Sequence, residues 1–170
     1  MPRVSFCIPT HDSNARCQNY LFDIFHALSQ QNNKDFNVWI SDHSKSNKVL
    51  EACKEYADLF EINYIKNTKK YGNISANTNH ALQHADGDIL KVLFSDDFIL
   101  TCNLVAELDK AFTDDVHWAV TGYAHTVDDG QTHYNPKIPY HNDKLLEGVN
   151  TLSSPSILAL KRGIDMYFDE

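Results

Sequence analysis

D-I-L-K-V-L-F-S-D-D-F-I, Asp88 to Ile99, is an apolar run that ends abruptly in Ser95, Asp96 and Asp97. Ile89, Leu90, Val92, Leu93 and Phe94 form a short segment rich in β-branched and aromatic side chains, the pattern of a buried central strand. Adjacent carboxylates at the C-terminal end of such a strand stand where open α/β sheets bind ligands. Two neighbouring acids repel unless a cation lies between them and a partner. Their natural use is to hold a divalent metal together with the phosphates of a substrate. The competing reading is a solvated acidic turn, so the flanking chain has to decide.

Upstream, Val4, Phe6 and Ile8 alternate with Ser5 and Cys7, predicting a strand that Pro9 stops. A polar loop, Pro9 to Asn14, leads to a helix marked by Cys17, Tyr20, Leu21, Ile24, Phe25 and Leu28. The next strand is Phe36 to Ser41, followed by the polar loop Ser41 to Ser46. Val49, Leu50, Cys53, Tyr56, Ala57 and Phe60 mark a second helix, and a third strand covers about Glu61 to Ile65. Its exit, Lys66 to Gly72, holds the densest positive charge in the chain. Ile74, Thr78, Ala81, Leu82 and Ala85 give one face of a third helix, closed by Asp86-Gly87.

Downstream, Thr101 is the expected N-cap of a helix containing Leu104, Val105, Leu108, Ala111 and Phe112. His117 to Tyr123 reads as a strand. Asp128-Asp129-Gly130 is a hairpin signal, and Thr132 to Gly148, with Pro136 and Pro139, reads as a long loop. Ile157 to Leu160 is a last short strand. This alternation predicts a mainly parallel sheet with helices on both faces. Three strand ends then carry polar loops along one edge, which favours a ligand site at Ser95–Asp97.

The chain's 170 residues suffice for one domain with a real core. Its 42% apolar and 22% charged residues are those of a globular protein. The formal net charge of −8 argues against a nucleic-acid surface. An anionic ligand therefore needs local donors or a metal. Cys7, Cys17, Cys53 and Cys102 form no C-x-x-C pair and read as reduced, buried thiols. No signal peptide opens the sequence and no apolar run is long enough to span a membrane, so the expectation is a cytoplasmic protein, or one attached to a membrane by a segment outside this sequence. No G-x-x-x-x-G-K-[ST] or G-x-G-x-x-G sequence is present, which argues against the commonest doubly wound nucleotide binders.

Other residues invite functional readings that weaken on inspection. His80 and His84 have zinc-like spacing, but both are expected on the exposed side of their helix, without a third ligand. Trp39 and Trp118 are expected to pack in the core, and Cys7 to be buried mid-strand.

V-S-F-C-I-P-T-H-D (Val4 to Asp12), W-I-S-D-H-S (Trp39 to Ser44), G-N-I-S-A-N-T-N-H-A-L (Gly72 to Leu82), G-D-I-L-K-V-L-F-S-D-D (Gly87 to Asp97) and F-D-E (Phe168 to Glu170) occur in register. Together they resemble family-two glycosyltransferases of the GT-A fold, over nearly the whole chain. The resemblance implies a Rossmann-like, mainly parallel sheet, truncated at the C-terminus. It implies one domain over 1–170, with 1–97 binding the donor and 98–170 beginning the acceptor part. The implied reaction transfers a sugar from a nucleoside diphosphate donor, UDP-linked for preference, to a hydroxyl acceptor, with inversion. Pro9, Thr10, His11 and Asp12 would lie along the nucleoside, and Asn77 close to the nucleotide. Asp42 would accept from the pyrimidine ring, since an ionised carboxylate accepts and an imide N–H donates. As a loop acid, Asp42 is expected to matter for binding and little for stability. Ser95, Asp96 and Asp97 would be the D-x-D-like element. Asp97 would contact Mn2+ or Mg2+ directly, with Asp96 on the ribose or in the metal shell, and the metal would neutralise the leaving diphosphate.

The sequence departs from the family pattern in three places. The paired acids after the second strand are reduced to Ser41-Asp42. Asn77 and Thr78 are neutral where many members carry an arginine, leaving Lys66, Lys69 and Lys70 as substitutes. The family's general base lies beyond F-D-E, so it is expected to be missing here, and Asp169 is the nearest catalytic candidate. The alternative is therefore a nucleotide-sugar-binding module that acts with a partner chain.

Overall fold

The computed structural model of the protein describes residues 3–12, 16–125, 153–165 and 167–169. Six strands form one sheet in the order β3-β2-β1-β4-β6-β5. They are β1 (Val4–Thr10), β2 (Phe36–Asp42), β3 (Ile62–Lys66), β4 (Ile89–Val92), β5 (Trp118–Val120) and β6 (Leu158–Lys161). The first four run parallel, as their strand–helix alternation requires. β6 lies antiparallel between β4 and β5. The helices are α1 (Cys17–Ser29), α2 (Lys48–Tyr56), α3 (Ile74–His84) and α4 (Leu104–Ala111), with a 3₁₀ turn over Pro155–Ile157 before β6.

One core face joins Phe6, Ile8, Val38, Ile40 and Ile89 to α1, α2 and α4. The aromatic rings of Phe25, Phe36, Tyr56 and Phe60 meet in this layer. On the other face, Cys7, Leu90, Val92 and Leu160 pack with Ala81, Leu82 and Ala85 of α3. Trp39 joins that second layer, as expected, and its indole N–H donates to Asp86. Gly87 lies so close to β1 that a Cβ there would sit 2.6 Å from the Ser5 nitrogen.

Several local expectations are corrected. Pro9 does not stop β1, which runs to Thr10. β4 pairs with β1 only as far as Cys7, so the N–H that proline lacks has no ladder partner to lose. α2 ends at Tyr56, although Phe60 still packs in the core. α4 begins after Asn103, not Thr101. The Thr101 hydroxyl instead accepts from the Asn103 N–H, and Gln31 at the end of α1 accepts from the Val105 N–H. Trp118 lies on the edge strand and is 45% exposed. Ile74 is exposed too, and the buried face of α3 includes the polar residues Asn77, Thr78 and Asn79. Cys7, Cys17 and Cys53 are buried, but Cys102 is exposed; all four are free thiols. Burial pushes the thiol of Cys7 up, that of Cys17 to about 11 and that of Cys53 to about 12, which leaves them poor nucleophiles. The hairpin signal at Asp128-Asp129-Gly130 and the loop from Thr132 to Gly148 lie outside the described residues, as do Ser13, Asn14 and Glu170.

Candidate nucleotide-sugar site

The chain leaves β1 toward β2 on one side, while β4 returns to β1's other side. Such a reversal opens a crevice beyond the carboxyl ends of the two strands. Into this region lead Thr10–Asp12 after β1, Asp42–Ser46 after β2 and Ser95–Asp97 after β4.

The floor on the β1–β2 side is a buried polar cluster. Asn77 of α3 donates through Nδ2 to the Thr10 carbonyl at 3.1 Å and to the Ser41 carbonyl at 2.9 Å. Its Oδ1 accepts from the Ser41 hydroxyl and from Asn67. Asn77 thus ties two strand ends and the β3 exit together, and all its hydrogen-bonding capacity is spent. The Ser41 proton goes to Asn77, so the His80 ring, 2.9 Å away through Nδ1, meets the hydroxyl oxygen's lone pair. His80 is accordingly half-buried, not solvent-facing as expected, whereas His84 is exposed. Burial first, then the neighbouring His84, pulls the His80 pKa down. No group of three metal-binding side chains exists among the described residues.

Asp42 closes β2 and is fully buried. Its Oδ1 accepts from the Ser44 N–H at 2.7 Å and the Thr10 hydroxyl at 3.4 Å; its Oδ2 accepts from Tyr64 at 2.7 Å and Lys66 at 2.9 Å. Burial opposes its ionisation, but the bonds from Ser44, Tyr64 and Lys66 outweigh it and hold the carboxyl below its usual range. The expectation of a loop acid with little structural role is therefore corrected. Lys66 is paired with Asp42, and Lys69 and Lys70 of the same loop are exposed.

Above this floor stands an aromatic and basic rim. The Tyr71 hydroxyl meets His11 Nε2 at 3.0 Å, and the rings of His11 and His43 lie 5.2 and 6.0 Å from that of Tyr71. The Lys45 ammonium stands 5.4 Å from the Tyr71 ring centroid. Asp12 is held by the hydroxyls of Ser44 and Ser46, the latter bond being the main reason its carboxyl stays below the usual range. Tyr71 could not be picked out from the sequence, because its partners His43 and His11 come from loops 28 and 60 residues away.

On the β4 side, Phe94 to Asp97 form a turn closed by the Asp97 N–H donating to the Phe94 carbonyl at 3.1 Å. Asp96 is exposed and makes no hydrogen bond or ion pair among the described residues. Asp97 is half-buried and accepts on Oδ2 from the Ser154 hydroxyl at 2.8 Å. Both acids border a cavity of about 690 Å³ with an apolar base that includes Phe6, Leu93, Leu104 and Leu108. Lys91, also at this cavity, is buried and donates to the carbonyls of Val92, Ser156 and Leu158. Burial pushes its pKa down to about 7. The donor set fits a hard divalent cation. It offers two carboxylates on a turn fixed to a central strand, neither joined to a lysine or arginine among the described residues. The pair supplies only part of such an ion's oxygen shell, leaving the rest for phosphate and water.

Pro9, Thr10, His11, Asp12 and Asp42 thus stand at the ends of β1 and β2 beside Asn77 of α3, while Ser95, Asp96 and Asp97 follow β4, where Asp96 and Asp97 border the cavity. Asp169 lies apart from both clusters in sequence and is exposed. Its neighbour Phe168 is fastened to α3 by a reciprocal pair of 2.8 Å bonds with the Asn79 side chain.

Residues 5–165 match the profile of "Glycosyl transferase family 2". No curated protein matches the chain by sequence. Among solved structures, Staphylococcus aureus TarS residues 1–349 in complex with UDP align over 64% of this chain and 31% of that one. The identity is 21% and the TM-score 0.56. The mannosyltransferase PcManGT from Pyrobaculum calidifontis, solved with GDP-Man and Mn2+, aligns over 69% and 34%, at 19% identity and a TM-score of 0.55. The chain spans about a third of the length of these neighbours. Their likeness establishes the GT-A fold.

Proposed function

Because the chain belongs to glycosyl transferase family 2, we propose that it binds a nucleoside diphosphate sugar across the ends of β1, β2 and β4. We propose further that it transfers the sugar to a hydroxyl acceptor with inversion. The observation that carries this reading is the convergence of polar loops at the β1–β4 reversal, with two cation-free carboxylates on one flank among the described residues. Residues 1–97 then form the donor-binding part and 98–170 the beginning of the acceptor part.

In this reading Asp97 and Asp96 hold Mn2+ or Mg2+ with the donor's diphosphate. The metal, when bound, neutralises the charge of the departing nucleoside diphosphate. Pro9, Thr10, His11, Asp12 and Ser95 line the nucleotide, and the Tyr71 rim offers the base an aromatic neighbour. Asn77 acts beneath them by fixing the strand ends. Asp42 as base acceptor favours UDP, since it matches an imide N–H. That contact requires the base to displace Lys66 or Tyr64 from Oδ2. We place this site in the cytoplasm, a reading that the four free thiols support. No helix of the described residues is long and apolar enough to cross a membrane.

A second reading, donor binding without turnover beside a partner chain, is favoured by one observation. Asp169 is exposed and makes no hydrogen bond or ion pair among the described residues, so nothing there orients it as a base. Incubation with a panel of nucleoside diphosphate sugars and manganese tests both. Release of nucleoside diphosphate on transfer or hydrolysis supports the transferase. Selective binding without release supports the module. Binding no tighter than that of plain nucleotides would reject both.

A further inference from the structure

The acids of the Ser95–Asp97 turn are oriented by a segment that returns from much later in the chain. Ser154 donates its only hydroxyl proton to Asp97 Oδ2 at 2.8 Å and accepts the Ser156 N–H at 3.2 Å. The second bond makes Ser154 the N-cap of the 3₁₀ turn, so the direction of its O–H is fixed from behind. Ser153 before it has a φ of 59°, in the left-handed region that non-glycine residues seldom occupy. The Ser156 hydroxyl accepts the Phe94 N–H at 2.7 Å, one residue before the acidic turn. Lys91 completes the attachment by donating to the carbonyls of Ser156 and Leu158 from inside β4. The end of β4 and the 3₁₀ turn are thus joined at three places.

We propose that Ser154 is a positioning residue for Asp97, holding Oδ2 so that the carboxylate would be presented to a divalent cation through Oδ1. This rests on the reading of Asp97 as a metal ligand. A hydroxyl suits the task better than an ammonium would. It fixes one carboxylate oxygen without neutralising the charge, so the anion keeps its attraction for a divalent cation. Lys91, the nearest basic side chain, is turned to the carbonyls of Val92, Ser156 and Leu158 and makes no ion pair with Asp97 among the described residues. The arrangement also ties the geometry of the donor's diphosphate end to β6.

The test is the affinity for UDP with manganese and with excess chelator, together with manganese affinity followed by electron paramagnetic resonance. It uses the unmodified chain, Ser154→Ala, Ser154→Thr and Ser154→Cys. Loss of one orienting hydrogen bond should weaken manganese-dependent UDP binding by roughly tenfold in Ser154→Ala. UDP affinity in chelator should stay unchanged, and Ser154→Thr, which keeps the hydroxyl, should restore the metal effect. Ser154→Cys keeps the size but donates weakly. It should show the same selective loss and carries the test if the alanine variant does not fold. Unaltered metal dependence in the alanine or cysteine variant would overturn the proposal. So would an equal loss with and without metal, which would mark Ser154 as structural only. If the unmodified chain itself shows no manganese effect, the assignment of Asp97 as a ligand fails first, and this inference with it.

Discussion

The Lys66 ammonium lies 2.9 Å from Oδ2 of Asp42, with the lysine side chain 38% exposed and the carboxylate fully buried. The pair is asymmetric in its energetics. Lys66 can return to water when the acid is removed, but Ser44 and Tyr64 are left with donors aimed at an emptied site. Asp42→Ala should therefore lower the unfolding free energy by about 2–4 kcal/mol. Urea denaturation measures it. A change within experimental error would mean that the carboxylate is incidental to the fold.

The same acid predicts a pH dependence. Its folded pKa lies below the unfolded value, so the unfolded chain takes up the proton first as pH falls. The stability it contributes is fully present above about pH 4, the unfolded carboxyl value, and is lost as pH falls through the folded one. The stability gap between the unmodified chain and Asp42→Asn should then be constant at neutral pH and narrow below pH 4. Parallel curves down to acid unfolding would contradict this.

Gly87 is confined by the β1 backbone as well as by the Ser5 hydroxyl, which lies 2.7 Å from the Cβ position. A Cβ would meet the Ser5 nitrogen at 2.6 Å and the Val4 carbonyl carbon at 2.9 Å. Gly87→Ala should cost about 1–3 kcal/mol through forced separation of this loop from β1. Gly72 has open space around its Cβ position but a φ of 80°, so Gly72→Ala should cost only the backbone strain, about 1 kcal/mol. Thermal denaturation of both variants orders them. Equal tolerance would show that the β1 contact relaxes freely.

How far the sequence revealed this molecule depends on the range of each interaction. The alternation at Val4–Ile8 and the apolar run at Ile89–Phe94 carry their own period, and both became central parallel strands. Pro9 and Thr101 misled because their roles are set by neighbours. Pro9 sits beyond the β4 pairing, and the first turn of α4 is capped from α1 by Gln31. Trp118 looked like core from its side chain alone, yet β5 is the last strand of the sheet. At the site, Asp96 and Asp97 were visible as a pattern at a strand end. The burial of Asp42 was not, because its partners Tyr64 and Lys66 lie on another strand. The Ser154–Asp97 bond joins residues 57 positions apart and leaves no periodic trace.

In the proposed function, Asp96 and Asp97 form the metal-binding half of a nucleotide-sugar site. Calorimetric titration of UDP into the unmodified chain, once with Mn2+ and once with excess chelator, tests it most directly. Each ligand supplies part of the other's site, so manganese should tighten UDP binding by roughly 5–150-fold. Equal affinity under the two conditions would contradict the claim.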